Sequence, residues 1–301
     1  MATTLETDNS LNPVRLTDRF GVDTSHSVLF LGGWEQNPDY SALLQAYLKE
    51  RGIASAGFSA FDVIDPVIDP SNLQFNAAVR DLMTSDELLS QIPPRMIKRA
   101  TTLLELTRNV MQVSSERPAD WTVTHCAGAN VALIAHYLER QMDTPATLPT
   151  NLLLMEPMVG EGYEERPRDL GAAILKQARS SDERVILLQK LRHPNAPNLG
   201  TARAQPLMDI CRSKGITFLA RMADTLNLHL VFGQEDLAAP ADSTIAQLVE
   251  RGIDLPVTYY PQDPSNTRLG HGFIYDKPEV AADVVRGIVL PEWSPFLKAT
   301  G

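Results

Sequence analysis

Residues 121–140, WTVTHCAGANVALIAHYLER, join a short strand-like run to a helical pattern. The run WTVTH is rich in β-branched and aromatic residues, which is typical of a buried strand. From Ala127 onward, small and apolar residues recur at helical spacing and are predicted to face a sheet. They include Val131, Ala132, Ile134 and Ala135. Cys126 therefore lies where a predicted strand meets a predicted helix, beside amides that favour negative charge.

Short apolar runs alternate with helical patterns on both sides of this segment. Further strands are predicted at SVLFLGG (27–33), IASAGFSAFD (53–62), NLLLMEPMV (151–159), LNLHLVFG (226–233) and PVTYYP (256–261). Helices are predicted before Gly52, from about 85 to 115, through STIAQLVERG (243–252) and through PEVAADVVRGIV (278–289). Strands that alternate with helices predict an α/β fold, with a mostly parallel central sheet covered by helices on both faces.

The chain of 301 residues is predicted to be one domain with an insertion, because α/β domains of this size commonly remain undivided. Residues 1–25 are polar and weakly patterned, and we interpret them as an N-terminal leader. Residues 26–159 and 226–301 supply the core. Residues 160–225 show helical patterning between two core strands, which predicts a helical lid.

The charge and the apolar content of the sequence argue against nucleic-acid and membrane partners. The formal net charge of −10 leaves no basic field for a phosphate backbone, so a nucleic-acid partner is not expected. The start, MATTLETDNSLNPV, is neither cationic nor apolar, and no run approaches the roughly 20 apolar residues of a membrane span. A cytoplasmic protein without a membrane partner is therefore expected.

Cysteine usage and motif content predict no cofactor and no metal. The only two cysteines are Cys126 and Cys211, so neither a disulfide framework nor a multi-cysteine metal site is indicated. Gly-rich phosphate loops and metal-ligand clusters are also missing from the sequence. Cys211, on a predicted helix, is interpreted as a small buried apolar residue.

Cys126 is followed two positions later by Gly128, and small residues surround that glycine. The segment resembles the G-x-S-x-G nucleophile elbow of the α/β-hydrolase superfamily, with Cys126 at the usual serine position. Thr124 stands where that family normally has glycine or another small residue. The adjacent His125 is interpreted as structural or pocket-lining, because neighbours on a tight turn point in different directions.

Two later segments resemble the other catalytic motifs of the same family. Gly233-Gln234-Glu235-Asp236 follows an apolar strand and precedes Pro240, which makes Asp236 the acid that orients the catalytic histidine. Glu235 and Glu156 are competing candidates for that acid. Leu269-Gly270-His271-Gly272-Phe273 precedes the last predicted helix, as the catalytic histidine segment does in the family. The resemblance thus implies a triad of Cys126, Asp236 and His271.

Gly32-Gly33-Trp34 follows the first predicted core strand. In the family, this loop supplies one backbone N–H of the oxyanion hole, and the residue after the nucleophile supplies the other. The resemblance therefore implies Trp34 and Ala127 as the two donors. An aromatic ring that packs beneath the lid is the alternative interpretation of Trp34.

The resemblance implies an acyl hydrolase or acyl transferase that works through a covalent acyl-enzyme. A cysteine acyl-enzyme is a thioester, so thioester and lactone substrates are favoured, and carboxylesters remain an alternative. A non-hydrolytic binding module is a second alternative, supported by Thr124 and by the missing serine. In a third, a lyase or cyclase uses His271 as base and Cys126 has no role.

The expected partner is a small-molecule acyl substrate. Arginines in the predicted lid suggest an anionic acyl carrier such as coenzyme A or an acyl carrier protein, although a solvated helical face is the favoured explanation. These arginines are Arg166, Arg168, Arg179, Arg184, Arg192 and Arg203.

Overall fold

The fold is built on a parallel sheet. The computed structural model describes residues 26–33, 42–59, 77–114, 119–142, 146–160, 214–233, 239, 241–259, 274 and 277–290. Its strands are β1 (Ser27–Gly32), β2 (Ala54–Ser59), β3 (Trp121–His125), β4 (Asn151–Met155), β5 (Asn227–Phe232) and β6 (Val257–Tyr259). They lie in the order β2-β1-β3-β4-β5-β6, and each neighbouring pair is parallel. The predicted α/β class is confirmed.

Helices connect and cover these strands. They are α1 (Ala42–Glu50), α2 (Ala77–Ser85), α3 (Pro94–Ser114), α4 (Gly128–Gln141), α5 (214–222), α6 (Ala241–Glu250) and α7 (Pro278–Val289). None of the helices in the described part of the chain combines the length and apolar content needed to cross a membrane.

The single helix predicted from about 85 to 115 is wrong at its start. A short 3₁₀ turn at Leu89–Gln91 ends at Ile92, which has an extended backbone, and α3 begins at Pro94. The residue before a proline is disfavoured in the α region, so Ile92 cannot continue a helix into Pro93. The helix α2, before this break, was not predicted.

Successive residues of β4 pack in different hydrophobic cores. Leu152 and Leu154 pack on one face of the sheet, in a core that contains buried residues of α3, α4 and α5. Leu153, between them, packs on the opposite face with buried residues of α1 and α7. This alternation follows from the two-residue period of a strand. Helices therefore cover both faces, as predicted.

The predicted lid, residues 160–225, is only partly within the described residues. Its C-terminal part is α5, where Ile216, Phe218 and Leu219 are fully buried in the same core as α4. The rings of Phe218 and Tyr137 meet edge to face with centroids 5.2 Å apart. α5 thus packs on α4 within this core. Residues 161–213 and the predicted leader 1–25 lie outside the described residues, and those assignments stay predictions.

Polar side chains connect the amino ends of four neighbouring strands. The backbone N–H of Ser27 donates to Asp120 Oδ2 at 2.8 Å, just before β3. Asn151 Nδ2 then donates to the Asp120 carbonyl at 2.9 Å, and Asn227 Nδ2 donates to Asn151 Oδ1 at 3.0 Å. This polar row satisfies groups at the edge of the sheet where the strands begin.

Arg51 joins α1 to α7. Its Nε donates to Asp283 Oδ1 at 2.6 Å, and its two Nη atoms donate to the carbonyls of Tyr47 at 2.9 Å and Glu279 at 3.2 Å. The guanidinium carbon also lies 5.6 Å from the centre of the Tyr47 ring. The planar fork of arginine suits several simultaneous acceptors, whereas the ammonium of lysine is a single charged centre.

We expect Arg51→Lys to lower the free energy of unfolding by about 1–2 kcal/mol, because the contacts to Asp283 and Glu279 cannot both be kept. Urea unfolding at pH 7 measures the change. Arg251→Lys, at an exposed position, is the matched control and should change stability by less than about 0.5 kcal/mol. Equal effects in the two variants would contradict the joining role of Arg51.

His136 is a buried imidazole on α4. Its exposed fraction is 5%, and its Nε2 has no hydrogen-bond partner among the described residues. Burial lowers the pKa of His136 to about 4, because the charged ring loses its hydration. The folded protein therefore keeps this ring neutral at pH values where the unfolded chain protonates it.

We expect the stability of the protein to fall as the pH is lowered from about 6.5 to about 4. Over this range the unfolded state binds more protons at His136 than the folded state does. The loss from this residue by pH 5 is on the order of 2 kcal/mol. Urea unfolding at pH 7 and pH 5 measures it, and His136→Leu should remove about that much of the difference. An unchanged pH dependence in His136→Leu would count against a neutral buried ring.

Candidate active site

The centre of the candidate site is the turn between β3 and α4. Cys126 has φ 54°, in the left-handed region that residues other than glycine rarely adopt. Three backbone hydrogen bonds hold it there: its N–H donates to the Met155 carbonyl at 3.1 Å, and its own carbonyl accepts from Ala129 and Met158 at 3.3 and 3.4 Å. Such a strained conformation persists only where its surroundings hold it.

Glycines allow the end of β1 to approach this turn. A Cβ on Gly128 would lie 2.6 Å from the Gly32 carbonyl oxygen and 2.7 Å from that of Leu31. A Cβ on Gly33 would lie 2.6 Å from Cys126 Cβ and 3.2 Å from its Sγ. The first turn of α4 and the segment after β1 therefore converge on Cys126, and the glycines noted in the sequence are required by close packing.

The Cys126 side chain is 6% exposed and lies beside Met158. Its Sγ donates to Met158 Sδ at 3.2 Å. The Met158 carbonyl accepts a hydrogen bond from Asn130 Nδ2 at 3.0 Å, so α4 also holds this residue. The segment after β4 thus forms one wall around the sulfur, which sequence analysis did not predict.

His125 and Glu156 form a buried pair beside Cys126. His125 Nε2 and Glu156 Oε2 lie 2.8 Å apart, and both side chains are fully buried. Glu156 follows β4 directly and has φ 47°, so it occupies a left-handed turn like that of Cys126 on the neighbouring strand. Its backbone N–H donates to the Val231 carbonyl at 2.7 Å.

The alternation along β3 explains where His125 points. Val123, two residues earlier, packs in the core on the α1 and α7 face of the sheet. Residues two apart on a strand share a face, so His125 lies on that side. The structural or pocket-lining role predicted for His125 agrees with its burial. Its partner Glu156 was predicted only as an alternative catalytic acid.

The predicted donor Ala127 is fully buried and stands immediately before α4. The N–H groups at the start of a helix lack acceptors within that helix, so this position suits an oxyanion donor. Trp34, Asp236, His271 and the competing acid Glu235 lie outside the described residues, as does Cys211. No group of three or more potential metal ligands is placed together within the described ranges.

Comparisons with known proteins find similarity at the level of structure. No protein-family model and no curated protein sequence matches the chain. Est816, an N-acyl homoserine lactone degrading enzyme, matches with a TM-score of 0.52 at 14% identity, over 88% of this chain and 94% of that one. A thioesterase domain from the curacin biosynthetic pathway matches with a TM-score of 0.48 at 12% identity, over 87% and 91%.

The order and direction of the six strands, together with the match to Est816, decide the architecture. The chain has the α/β-hydrolase fold. The turn at Cys126 joins β3, an interior strand of this sheet, to the buried helix α4. The assignment of this turn as a nucleophile elbow stays a prediction.

Proposed function

We propose that this protein is an acyl hydrolase or acyl transferase whose nucleophile is Cys126, with His271 as base and Asp236 as the acid that orients it. The observation that carries the proposal is the left-handed backbone of Cys126 at the start of α4. A cysteine needed only for packing gains nothing from this conformation, where glycine would be free of strain. A nucleophile gains a fixed orientation beside the amides at the start of the helix.

In the proposed reaction His271 takes the proton of the Cys126 thiol, and the sulfur attacks the acyl carbon. The backbone N–H of Ala127, with that of Trp34, stabilises the oxyanion. Collapse of this intermediate expels a thiol or alcohol, which receives the proton from His271, and leaves the acyl group on Cys126. Water, or another acceptor in the transferase case, then attacks the thioester and regenerates the thiol.

We propose thioesters and lactones as the substrate class. A thioester exchanges with the Cys126 sulfur between bonds of similar energy, and a lactone is an activated ester whose ring opens on attack. Est816, which shares the fold, degrades a lactone, so the architecture accommodates such a ring. Coenzyme A or an acyl carrier protein is the proposed acyl donor in the thioester case.

Asp236 is favoured over Glu156 as the acid. Oε2 of Glu156 is engaged by His125 at 2.8 Å, and the whole side chain is buried. A carboxylate committed to one imidazole is less suited to orienting a second one. Asp236 follows β5 by four residues in the sequence, and β5 neighbours β4 in the sheet, so we propose that it acts at the same carboxyl edge as Cys126.

Intact mass spectrometry after incubation with a panel of acyl thioesters and lactones tests the proposal. We expect an added mass equal to the acyl group, located on Cys126 by peptide mapping. A matched incubation of Cys126→Ser should show an ester adduct that forms more slowly, since histidine and oxyanion donors also serve a hydroxyl. If Cys126→Ala forms no adduct and yet keeps full activity, the lyase or cyclase alternative is favoured. Binding without turnover in the parent protein would favour the binding module.

A further inference from the structure

The His125–Glu156 pair has no role in the proposed reaction, although it adjoins the nucleophile. Both side chains are fully buried, and 31 residues of sequence separate them. Burying two ionisable groups costs desolvation, and well-packed apolar residues in such places are often as stabilising or more so. Stability of the fold is therefore a weak explanation for this pair.

The pair fixes the two strained turns relative to each other. His125 immediately precedes Cys126, and Glu156 is itself the left-handed residue after β4. In the sheet register His125 pairs with Met155, so the hydrogen bond crosses from the last residue of β3 to the first residue beyond β4. Neither turn can relax towards ordinary backbone angles without moving a side chain of the pair.

Further contacts complete a ring around Cys126. The Cys126 N–H binds the Met155 carbonyl, and the Met158 N–H binds the Cys126 carbonyl. Residues 155–158 thus surround the cysteine from the β4 side, and Glu156 lies within this segment. The side-chain bond to His125 anchors the segment from the opposite face of the turn.

We propose that His125 and Glu156 are positioning residues that hold Cys126 in its left-handed conformation and so align its sulfur with the Ala127 amide. The inference deepens the proposed function, because the expected effect on turnover rests on Cys126 as the nucleophile. Its structural part, the rigidity of the turn, stands independently of any substrate.

Two pairs of substitutions test whether the hydrogen bond between the side chains of residues 125 and 156 is what matters. His125→Gln places an amide donor near the position of Nε2, the atom that contacts Glu156, whereas the shorter His125→Asn cannot reach it. Glu156→Gln keeps an acceptor oxygen, and Glu156→Leu removes it. Glu139→Gln is the control for neutralising a buried carboxylate, since Glu139 binds Thr147 near the far end of α4.

Two measurements are made on each full-length variant: hydrogen exchange of the peptide covering 122–130, and steady-state kinetics with the acyl substrate found by mass spectrometry. We expect His125→Asn and Glu156→Leu to speed exchange in that peptide at least tenfold and to lower kcat by about 10- to 100-fold, with KM within about twofold. His125→Gln, Glu156→Gln and Glu139→Gln should remain within about threefold of the parent. The double variant with His125→Asn and Glu156→Leu should be little worse than either single variant, because each single variant already breaks the same hydrogen bond.

Equal behaviour of His125→Asn and His125→Gln would overturn the proposal. So would an increase in exchange that is uniform over the protein, including the peptide of α7, because that result indicates a role in global stability. If all four variants at residues 125 and 156 fail to fold while Glu139→Gln folds, the pair is likewise required for global stability, and the proposal is overturned. If the parent shows no turnover, the proposed function fails, while the exchange at 122–130 still decides whether the pair holds the turn.

Discussion

Cys126→Ala is expected to lower turnover of the acyl substrate by at least about 10³-fold, because it removes the atom that forms the acyl-enzyme. The variant should remain folded, since it loses one buried sulfur whose polar contact is with Met158. Steady-state kinetics measure the loss, and circular dichroism confirms the fold. Cys126→Ser should retain part of the activity.

Substitution of His271, a second member of the proposed triad, provides a further test. Triad residues act as a unit, so His271→Ala should cost nearly as much as Cys126→Ala, and the double variant little more. Cys211→Ala is the matched control, because it removes the other cysteine and should leave turnover unchanged. Full activity in Cys126→Ala with loss in His271→Ala would exclude acyl-enzyme chemistry and favour the lyase or cyclase reaction.

Gly128→Ala is the second substitution with a large expected effect. In most helices this change is stabilising by about 1 kcal/mol. Here the new methyl would meet two backbone carbonyl oxygens, at 2.6 and 2.7 Å, which cannot rotate away as a side chain can. We expect α4 to shift from β1, with a loss of about 1–3 kcal/mol in unfolding free energy and about a 100-fold fall in kcat/KM.

Gly252→Ala is the control for this test. Gly252 has φ 68°, and an added Cβ there would meet nothing within 4 Å. It should cost about 1 kcal/mol of stability from backbone strain and leave kcat/KM unchanged. A Gly128→Ala protein that is more stable than the parent and equally active would show that β1 and α4 are not in the tight contact described.

The turn between β3 and α4 could be predicted because its determinants are local. The strand pattern, the helix pattern and Gly128 all lie within residues 121–140, and each can be recognised without knowledge of distant contacts. The strands were found for the same reason: each is a short apolar run with clear ends. The register of those strands needed the structure.

The pairing of His125 with Glu156 could not be read from the sequence in the same way. Glu156 ends a predicted strand, which made it a candidate acid, but its partner depends on which strands are neighbours and on which face each side chain lies. α5 shows a similar limit. An amphipathic pattern indicates that one side of a helix is buried, and it does not distinguish a lid over a pocket from a helix packed on α4.

The break before α3 was readable and was missed. Pro93 and Pro94 stand together, and the conformation of Ile92 follows from the proline after it. Local steric rules of this kind take precedence over hydrophobic periodicity.

The polar row at the amino ends of β1, β3, β4 and β5 has a consequence for how such a protein can change over evolutionary time. Asp120, Asn151 and Asn227 lie at the opposite edge of the sheet from Cys126, and their bonds involve no residue of the nucleophile turn. Substitutions in that row can therefore accumulate, or be selected for thermal tolerance, without altering the turn at Cys126. Substitutions that change stability and substitutions that change the substrate can thus occur at opposite ends of the same strands.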